Sequence, residues 1–230
     1  MRAAIPNAIT LGNLLLGCVG LSFAAWGDFH GAALCIFGAA VLDFLDGFAA
    51  RLLKAQSAIG KDLDSLADVV SFGVLPAFIL FQMAASLPGV AFSEYFVFII
   101  ALASALRLAR FNHDTRQSEG FIGLPTPANA ILLAALVLWL TTGGASWMPL
   151  LSKWHLFIAA ALLSYLLLSP IPMMAFKFKS FGWLENQERY LFLIFSLFLL
   201  IWHVYLGLAF VILAYISWSV LRLLLPKRNT

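Results

Sequence analysis

The stretch VLDFLDGFAARLLKAQSAIGKDLDSLADVVSFG, Val41–Gly73, joins two long apolar runs and decides the fold class. Four aspartates lie at or inside the ends of these runs: Asp43, Asp46, Asp64 and Asp68. An ionised carboxylate is costly at such a position in a membrane helix, so acids found there usually serve a function. The first question is therefore whether the two runs are membrane helices.

The composition of the whole chain answers that question. Of its 230 residues, 63% are hydrophobic and 11% are charged, and the mean hydropathy is +0.96. A soluble globular domain has far more charge and far less apolar content. Because about 20 apolar residues cross the hydrocarbon layer as a helix, the sequence predicts eight membrane spans. They are Ala8–Trp26, Ala32–Leu53, Ala67–Ser86, Phe92–Phe111, Ala128–Gly143, Leu150–Leu168, Tyr190–Trp202 and Tyr205–Leu224.

The predicted fold class is all-α, a polytopic membrane helical bundle. No long polar tract or linker divides the sequence, which predicts one integral membrane domain over residues 1–230. Small residues are frequent in the first six spans and allow close helix packing, whereas the last two are rich in Phe and Leu. We therefore expect a six-helix functional core over about residues 6–170 and a peripheral helix pair over about 188–225. Arg2 precedes the first run without a signal-peptide cleavage site, so we expect a retained helix there.

The cations predict the orientation of the chain. With the N-terminus in the cytoplasm, all of the 14 Lys and Arg residues except Lys153 fall on the cytoplasmic side, as the positive-inside rule requires. We expect a multi-pass protein of a prokaryotic cytoplasmic membrane whose N-terminus and active site face the cytoplasm. The expected partners are membrane lipids and a second copy in a homodimer, and no nucleic acid.

The spacing of the acids predicts a metal site. Asp43 and Asp46 are three residues apart and Asp64 and Asp68 are four apart, so each pair shares one face of its helix. A short connection brings the two pairs together. Close carboxylates repel one another unless a cation neutralises them, and oxygen ligands suit Mg²⁺, Mn²⁺ or Ca²⁺. One or two divalent ions at this site would indicate phosphate chemistry.

Helix capping is the structural alternative for these acids. Asp64 precedes Ser65 and could cap the third span. Capping does not explain Asp43 and Asp46, which lie late in a span, where the helix dipole disfavours anions. Nearby glycines leave space for a ligand, and Arg51 has the geometry to bind a phosphate.

The same residues carry a family resemblance. The pattern D-x2-D-G-x2-A-R-x8-G-x3-D-x3-D is met with every spacing kept, and it resembles the signature of the CDP-alcohol phosphatidyltransferases. The matching positions are Asp43, Asp46, Gly47, Ala50, Arg51, Gly60, Asp64 and Asp68.

That resemblance implies a reaction and a role for each residue. In this family a CDP-linked lipid donates its phosphatidyl group to a hydroxyl and releases CMP. It implies that Asp68 is a metal ligand and the general base, with three further metal ligands: Asp43, Asp46 and Asp64. The metal is expected to be Mg²⁺ or Mn²⁺, and Ca²⁺ could occupy or inhibit the site. The expected contacts of the CDP-lipid are Gly47, Arg51, Ser57 and Gly60, together with Asn7 and Thr10 of PNAIT, for which capping of the first span is the alternative.

A second segment bears on the acceptor alcohol. RLARFN, Arg107–Asn112, and FIGLPTPANA, Phe121–Ala130, resemble the pattern of membrane-embedded phosphatidylserine synthases. This resemblance implies CDP-diacylglycerol and L-serine as substrates. Candidates for binding the acceptor or its carboxylate are Arg107, Arg110 and Asn112. Helix C-terminal cations are the alternative for the arginines.

Two other functions remain open at this stage. The first is the same transfer to glycerol phosphate, inositol phosphate or another alcohol, or from an ether-lipid donor. The second is a divalent-cation transporter, which would have acids near the bilayer midplane on discontinuous helices. The four aspartates cluster at one membrane face, which favours the transferase.

Overall fold

The computed structural model describes residues 3–113, 122–143, 150–173 and 182–224, and within these ranges the chain is helical without a β-strand. The predicted all-α class is confirmed. The helices are α1 (Ala4–Ala25), α2 (Phe29–Leu52), α3 (Ala58–Asp68), α4 (Leu75–Ala85), α5 (Ile99–His113), α6 (Thr126–Thr142), α7 (Lys153–Leu168), α8 (Trp183–Trp202) and α9 (Val204–Leu224).

Two irregular segments complete the architecture. A π-helical turn, Val69–Val74, joins α3 to α4, so that Ala58–Ala85 is one continuous helix. A 3₁₀ turn, Ser93–Phe98, leads into α5. The described part of the chain therefore contains eight helical segments, the number that the hydropathy pattern predicts.

Membrane crossing is supported by length and composition. Four helices in the described ranges are long and apolar enough to span a bilayer: Ala4–Ala25, Phe29–Leu52, Ala58–Ala85 and Val204–Leu223. The protein is a membrane protein. Two shorter apolar helices, Thr126–Thr142 and Lys153–Leu168, lie between them in the chain.

The helix Ala58–Ala85 lies at the centre of the bundle. In its most apolar window 61% of the residues are buried, compared with 28% to 33% in the other three long helices, which face the surroundings. Its interior residues include Phe72, Leu75 and Ile79, all at most 1% exposed. The acids of α3 therefore belong to the helix whose apolar part is the most buried of the four long helices.

The prediction for this third span was wrong at its start. The sequence predicts a beginning near Ala67, but the helix begins at Ala58, after Ser57, whose side chain accepts a hydrogen bond from the Gly60 backbone N–H at 3.0 Å. Ser57 is thus the N-cap, and the capping alternative for Asp64 is excluded. The polar sequence GKDLDS depresses the hydropathy average there without preventing helix formation.

The π turn has a local cause. Pro76 follows it and has no backbone N–H with which to continue the regular hydrogen-bond ladder. The wider turn ends with the Leu75 N–H donating to the carbonyl of Val70, five residues earlier. Such turns inside α-helices are frequent at functional sites. Here the turn begins directly after Asp68.

Close packing of α1 against the π turn fixes the depth of the central helix. A Cβ at Gly17 would lie 2.5 Å from the Ser71 hydroxyl oxygen and 3.1 Å from the Ser71 Cα. Since the second contact is with backbone, rotation of a side chain cannot relieve it. Gly17 therefore allows an approach that no other residue permits.

Gly17→Ala should lower the stability of the purified protein in detergent. The expected net loss is about 1–2 kcal/mol, because overpacking exceeds the helix-propensity gain of alanine. Gly12→Ala on the same helix is the control, since its added Cβ meets only the end of the Leu42 side chain, at 3.1 Å. Thermal melting measures both variants, and equal melting temperatures would contradict the packing argument.

Candidate active site

Three of the four predicted acids converge. Asp43 on α2 and Asp64 and Asp68 on α3 each offer one carboxylate oxygen, and these oxygens lie within 4.8 Å of one another. Asp43 and Asp64 are half-buried, and Asp68 is buried at 6% exposure. Because α2 and α3 are joined by only a few residues, the two helix ends are held side by side.

Asp46 lies beside this trio but has a different contact. Its Oδ2 accepts a hydrogen bond from the Thr10 hydroxyl of α1 at 2.6 Å, and the side chain is buried at 6% exposure. The aspartate lines the same two cavities as Asp64. Its predicted role as a metal ligand remains a prediction.

The trio fits a divalent cation. Within the described ranges no Lys or Arg forms an ion pair with Asp43, Asp64 or Asp68. Three carboxylates this close repel one another strongly in a partly buried setting unless a cation or protons neutralise them. Carboxylate oxygens are the ligands that hard divalent cations prefer. The acidic cluster could therefore bind a metal ion.

Two cavities lined by described residues lie at this end of the bundle, and the larger has a volume of about 540 Å³. Five residues that the sequence predicts for the CDP-lipid line it: Asn7, Thr10, Gly47, Ser57 and Gly60. Capping is excluded for Asn7 and Thr10, because α1 begins at Ala4 and has no side-chain cap.

Gly60 lines this cavity at a position that has little room for a side chain. A Cβ there would lie 3.0 Å from the Ser57 hydroxyl oxygen and 3.2 Å from the Asn7 Oδ1. A larger residue would press on both side chains. Gly60 thus keeps open the part of the larger cavity where α1 meets the start of α3.

The smaller cavity, of about 440 Å³, lies on the other side of the acids. It is lined by Asp43, Asp68, Arg51 and Arg107, and its apolar wall includes Phe111. Arg51, predicted to contact the donor, therefore lies on this side. Three residues line both cavities and form their common wall: Asp46, Gly47 and Asp64.

Arg107 is the buried cation of the smaller cavity. Its exposure is 8%, and its Nη1 donates to the Thr126 hydroxyl at 3.0 Å. Its Nε has no hydrogen-bond partner in the described structure. Since a buried donor without a partner is destabilising, this guanidinium is suited to an anionic ligand that enters the cavity.

The other two acceptor candidates lie elsewhere. Arg110 is exposed and lines neither cavity. Asn112 joins α5 to α3: its Nδ2 donates to the Ser65 hydroxyl at 2.8 Å, and its backbone carbonyl accepts from the Lys61 ammonium at 2.8 Å. These contacts hold the end of α5 against the helix that carries Asp64 and Asp68.

Sequence reasoning missed two residues of this region, Asn13 and Thr126. Asn13 Nδ2 donates to Asp68 Oδ1 at 3.2 Å, and Thr126 begins α6 and accepts from Arg107. A signal for Asn13 was present, because Asn7, Thr10 and Asn13 recur at three-residue steps in an otherwise apolar helix. No comparable spacing identifies Thr126.

Comparison with known families agrees with this geometry. The family described as CDP-alcohol phosphatidyltransferase matches residues 3–166, which include both aspartate pairs and both cavities. This chain belongs to the CDP-alcohol phosphatidyltransferase family. The match ends before α8 and α9, so the family pattern covers the part of the chain that forms the site.

Relatives of known name are similar over most of the chain. A protein of Mycobacterium leprae named CDP-diacylglycerol–serine O-phosphatidyltransferase is 37% identical over 176 residues, which is 74% of this chain and 57% of the relative. A protein of the same name from Bacillus subtilis is 35% identical over 174 residues, 75% of this chain and 91% of the relative. One from Methanocaldococcus jannaschii is 37% identical over 129 residues, 56% of this chain and 58% of the relative. The chain thus spans little more than half of two of these three.

Asp64→Asn should weaken Mn²⁺ binding to the purified protein by at least about tenfold, because it removes a charged oxygen from the trio. Electron paramagnetic resonance of free Mn²⁺ measures the affinity without any substrate. Asp62→Asn is the matched control, since Asp62 is exposed on the same helix. Equal Mn²⁺ affinities of the two variants would mean that the trio is not the metal site.

Proposed function

We propose that this chain transfers the phosphatidyl group of CDP-diacylglycerol to the hydroxyl of L-serine, giving phosphatidylserine and CMP. The observation that carries the proposal is the acidic trio, which lines the smaller of two adjacent cavities and through Asp64 also lines the larger one, in a chain of the CDP-alcohol phosphatidyltransferase family. The names of the M. leprae and B. subtilis relatives favour serine as the acceptor.

The larger cavity would bind the CDP part of the donor. Its polar lining comes from Asn7, Thr10 and Ser57, and its glycines leave room for a nucleotide. Asp43, Asp64 and Asp68, with Asp46 beside them, would hold Mg²⁺ or Mn²⁺, as one or two ions. The bound cation would offset the charge that builds up on the diphosphate during transfer.

The smaller cavity would bind the acceptor. Since Asp46, Gly47 and Asp64 line both cavities, a diphosphate at this common wall would expose its phosphorus to an acceptor from the far side. Attack from there is in line with the departing CMP, the arrangement that phosphoryl transfer favours. Arg51, on this side of the wall, would contact the donor phosphate.

Asp68 would act as the general base. Its carboxylate takes the proton of the serine hydroxyl while the serine oxygen bonds to the phosphorus that carries the diacylglycerol. The bond from that phosphorus to the oxygen of CMP then breaks, and CMP leaves with the bonding electron pair. Asp68 lines the smaller cavity, where the acceptor would lie.

Arg107 would bind the carboxylate of serine. The guanidinium is buried and lines the smaller cavity, and its Nε is unpartnered among the described residues. On the other side of the guanidinium, Nη1 donates a hydrogen bond to the Thr126 hydroxyl. An anion in the smaller cavity would be attracted by the charge of this guanidinium.

The distribution of charges supports a cellular setting for this reaction. We propose that the N-terminus and the site lie at the cytoplasmic face of a prokaryotic membrane, where serine is dissolved and the nucleotide head group of the donor reaches water while its acyl chains remain in the bilayer. The distribution of Lys and Arg in the sequence supports this orientation. We retain the prediction of a homodimer.

Acceptor competition tests the proposed function directly. Purified protein with CDP-diacylglycerol and Mn²⁺ should release CMP with L-serine, but not with glycerol phosphate or inositol phosphate. The released CMP is measured by chromatography, and the Asp68→Asn protein gives the background. CMP release with glycerol phosphate and not with serine would overturn the serine assignment and leave the family assignment intact.

Arg107→Lys should raise the KM for serine about tenfold or more and change the KM for CDP-diacylglycerol much less. Lysine keeps the charge but loses the planar fork and the Nε–H, and hydrogen bonds to charged groups contribute about 1.5–3 kcal/mol. Arg110→Ala should have a smaller effect, because Arg110 is exposed. A larger rise in the KM for CDP-diacylglycerol would indicate that Arg107 binds the donor phosphate instead.

A further inference from the structure

Asn13 is a buried polar residue to which neither the family signature nor the proposed reaction gives a role. It lies in the middle of α1, is 0% exposed, and lines neither cavity. A buried amide in an apolar membrane helix is costly unless its hydrogen bonds serve the structure or the reaction. The hydrogen bonds of Asn13 link it to Asp68 and to the turn that follows Asp68.

The side chain of Asn13 holds one oxygen of Asp68. Its Nδ2 donates to Asp68 Oδ1 at 3.2 Å, and both residues are buried. The carboxylate group of an aspartate can rotate about the Cβ–Cγ bond. With Oδ1 held by the amide, the plane of the Asp68 carboxylate is set, and Oδ2 is the oxygen left free of this bond.

The backbone of Asn13 is held as well. Its carbonyl accepts a hydrogen bond from the Ser71 hydroxyl at 3.0 Å, and Ser71 lies in the π turn that begins directly after Asp68. Asn13 thus forms hydrogen bonds with two residues of the central helix, Asp68 and Ser71, which are three positions apart. Gly17, one turn further along α1, allows this contact because any side chain there would meet Ser71.

We propose that Asn13 is the positioning residue of Asp68: it sets the orientation in which this carboxylate faces the metal and the acceptor. The proposal rests on the roles of Asp68 in the proposed function. The contact joins α1, which also carries Asn7 and Thr10 of the larger cavity, to the carboxylate that lines the smaller one. Asn13 therefore fixes the carboxylate relative to the donor side as well.

The test uses Asn13→Leu in the full-length purified protein, because leucine keeps the branched shape and the number of heavy atoms of the side chain and removes the donor. Its matched control is Asn129→Leu. Asn129 is also 0% exposed in a membrane helix, but its side-chain nitrogen and oxygen have no hydrogen-bond partner in the described structure. The two variants therefore carry the same substitution at the same burial, and only one of them loses a bond.

Two measurements are made on each variant. Mn²⁺ affinity without substrates should fall about tenfold in Asn13→Leu and stay within about twofold in the control. At saturating Mn²⁺, kcat for CMP release should fall on the order of tenfold to a hundredfold, with the KM of each substrate within about twofold. Ser71→Ala should act in the same direction and more weakly, and it provides the test if Asn13→Leu does not fold.

The outcomes separate this proposal from the proposed function. A loss of either Mn²⁺ affinity or kcat that is confined to Asn13→Leu and Ser71→Ala supports positioning. Wild-type values for both, or an equal loss in Asn129→Leu, would overturn it. Mn²⁺ binding needs no acceptor and kcat can be measured with whichever alcohol is active, so an error in the serine assignment would not affect this result.

Discussion

Electrostatic repulsion among carboxylates is the constraint on which this structure depends. Asp43, Asp64 and Asp68 offer oxygens within 4.8 Å of one another at the end of a bundle that is otherwise apolar. Such an arrangement is stable when a cation or protons balance its charge, so the trio could bind a metal ion. In the proposed reaction the ion, its diphosphate ligand and the acceptor would all meet at this point.

The central helix holds the acids in a way that a surface helix could not. Ala58–Ala85 is the most buried of the long helices, and the π turn after Asp68 brings Ser71 against α1. Thr10 and Asn13 of α1 then bind Asp46 and Asp68, one aspartate from each pair. The helix α1, which has no acidic residue, therefore holds one aspartate of α2 and one of α3 by hydrogen bonds.

Much of this could be predicted from the sequence, because hydropathy and spacing carry the information. Apolar runs of about 20 residues predict the helices, and three- and four-residue steps predict that the acids share a face. The start of the third span was missed because GKDLDS is polar yet helical. The exact contacts of each residue could not be predicted, since they depend on how the helices are rotated about their axes. Arg51 and Asn112 are examples. Arg51 lines the smaller cavity, and Asn112 holds α5 to α3.

The central claim is that one metal site separates a donor cavity from an acceptor cavity. Crystals of the protein with Mn²⁺, CDP and L-serine, measured at the manganese absorption edge, test it most directly. The account predicts an anomalous peak among Asp43, Asp64 and Asp68, with the nucleotide in the larger cavity and serine beside Arg107. A manganese peak away from these carboxylates, or a nucleotide in the smaller cavity, would contradict it.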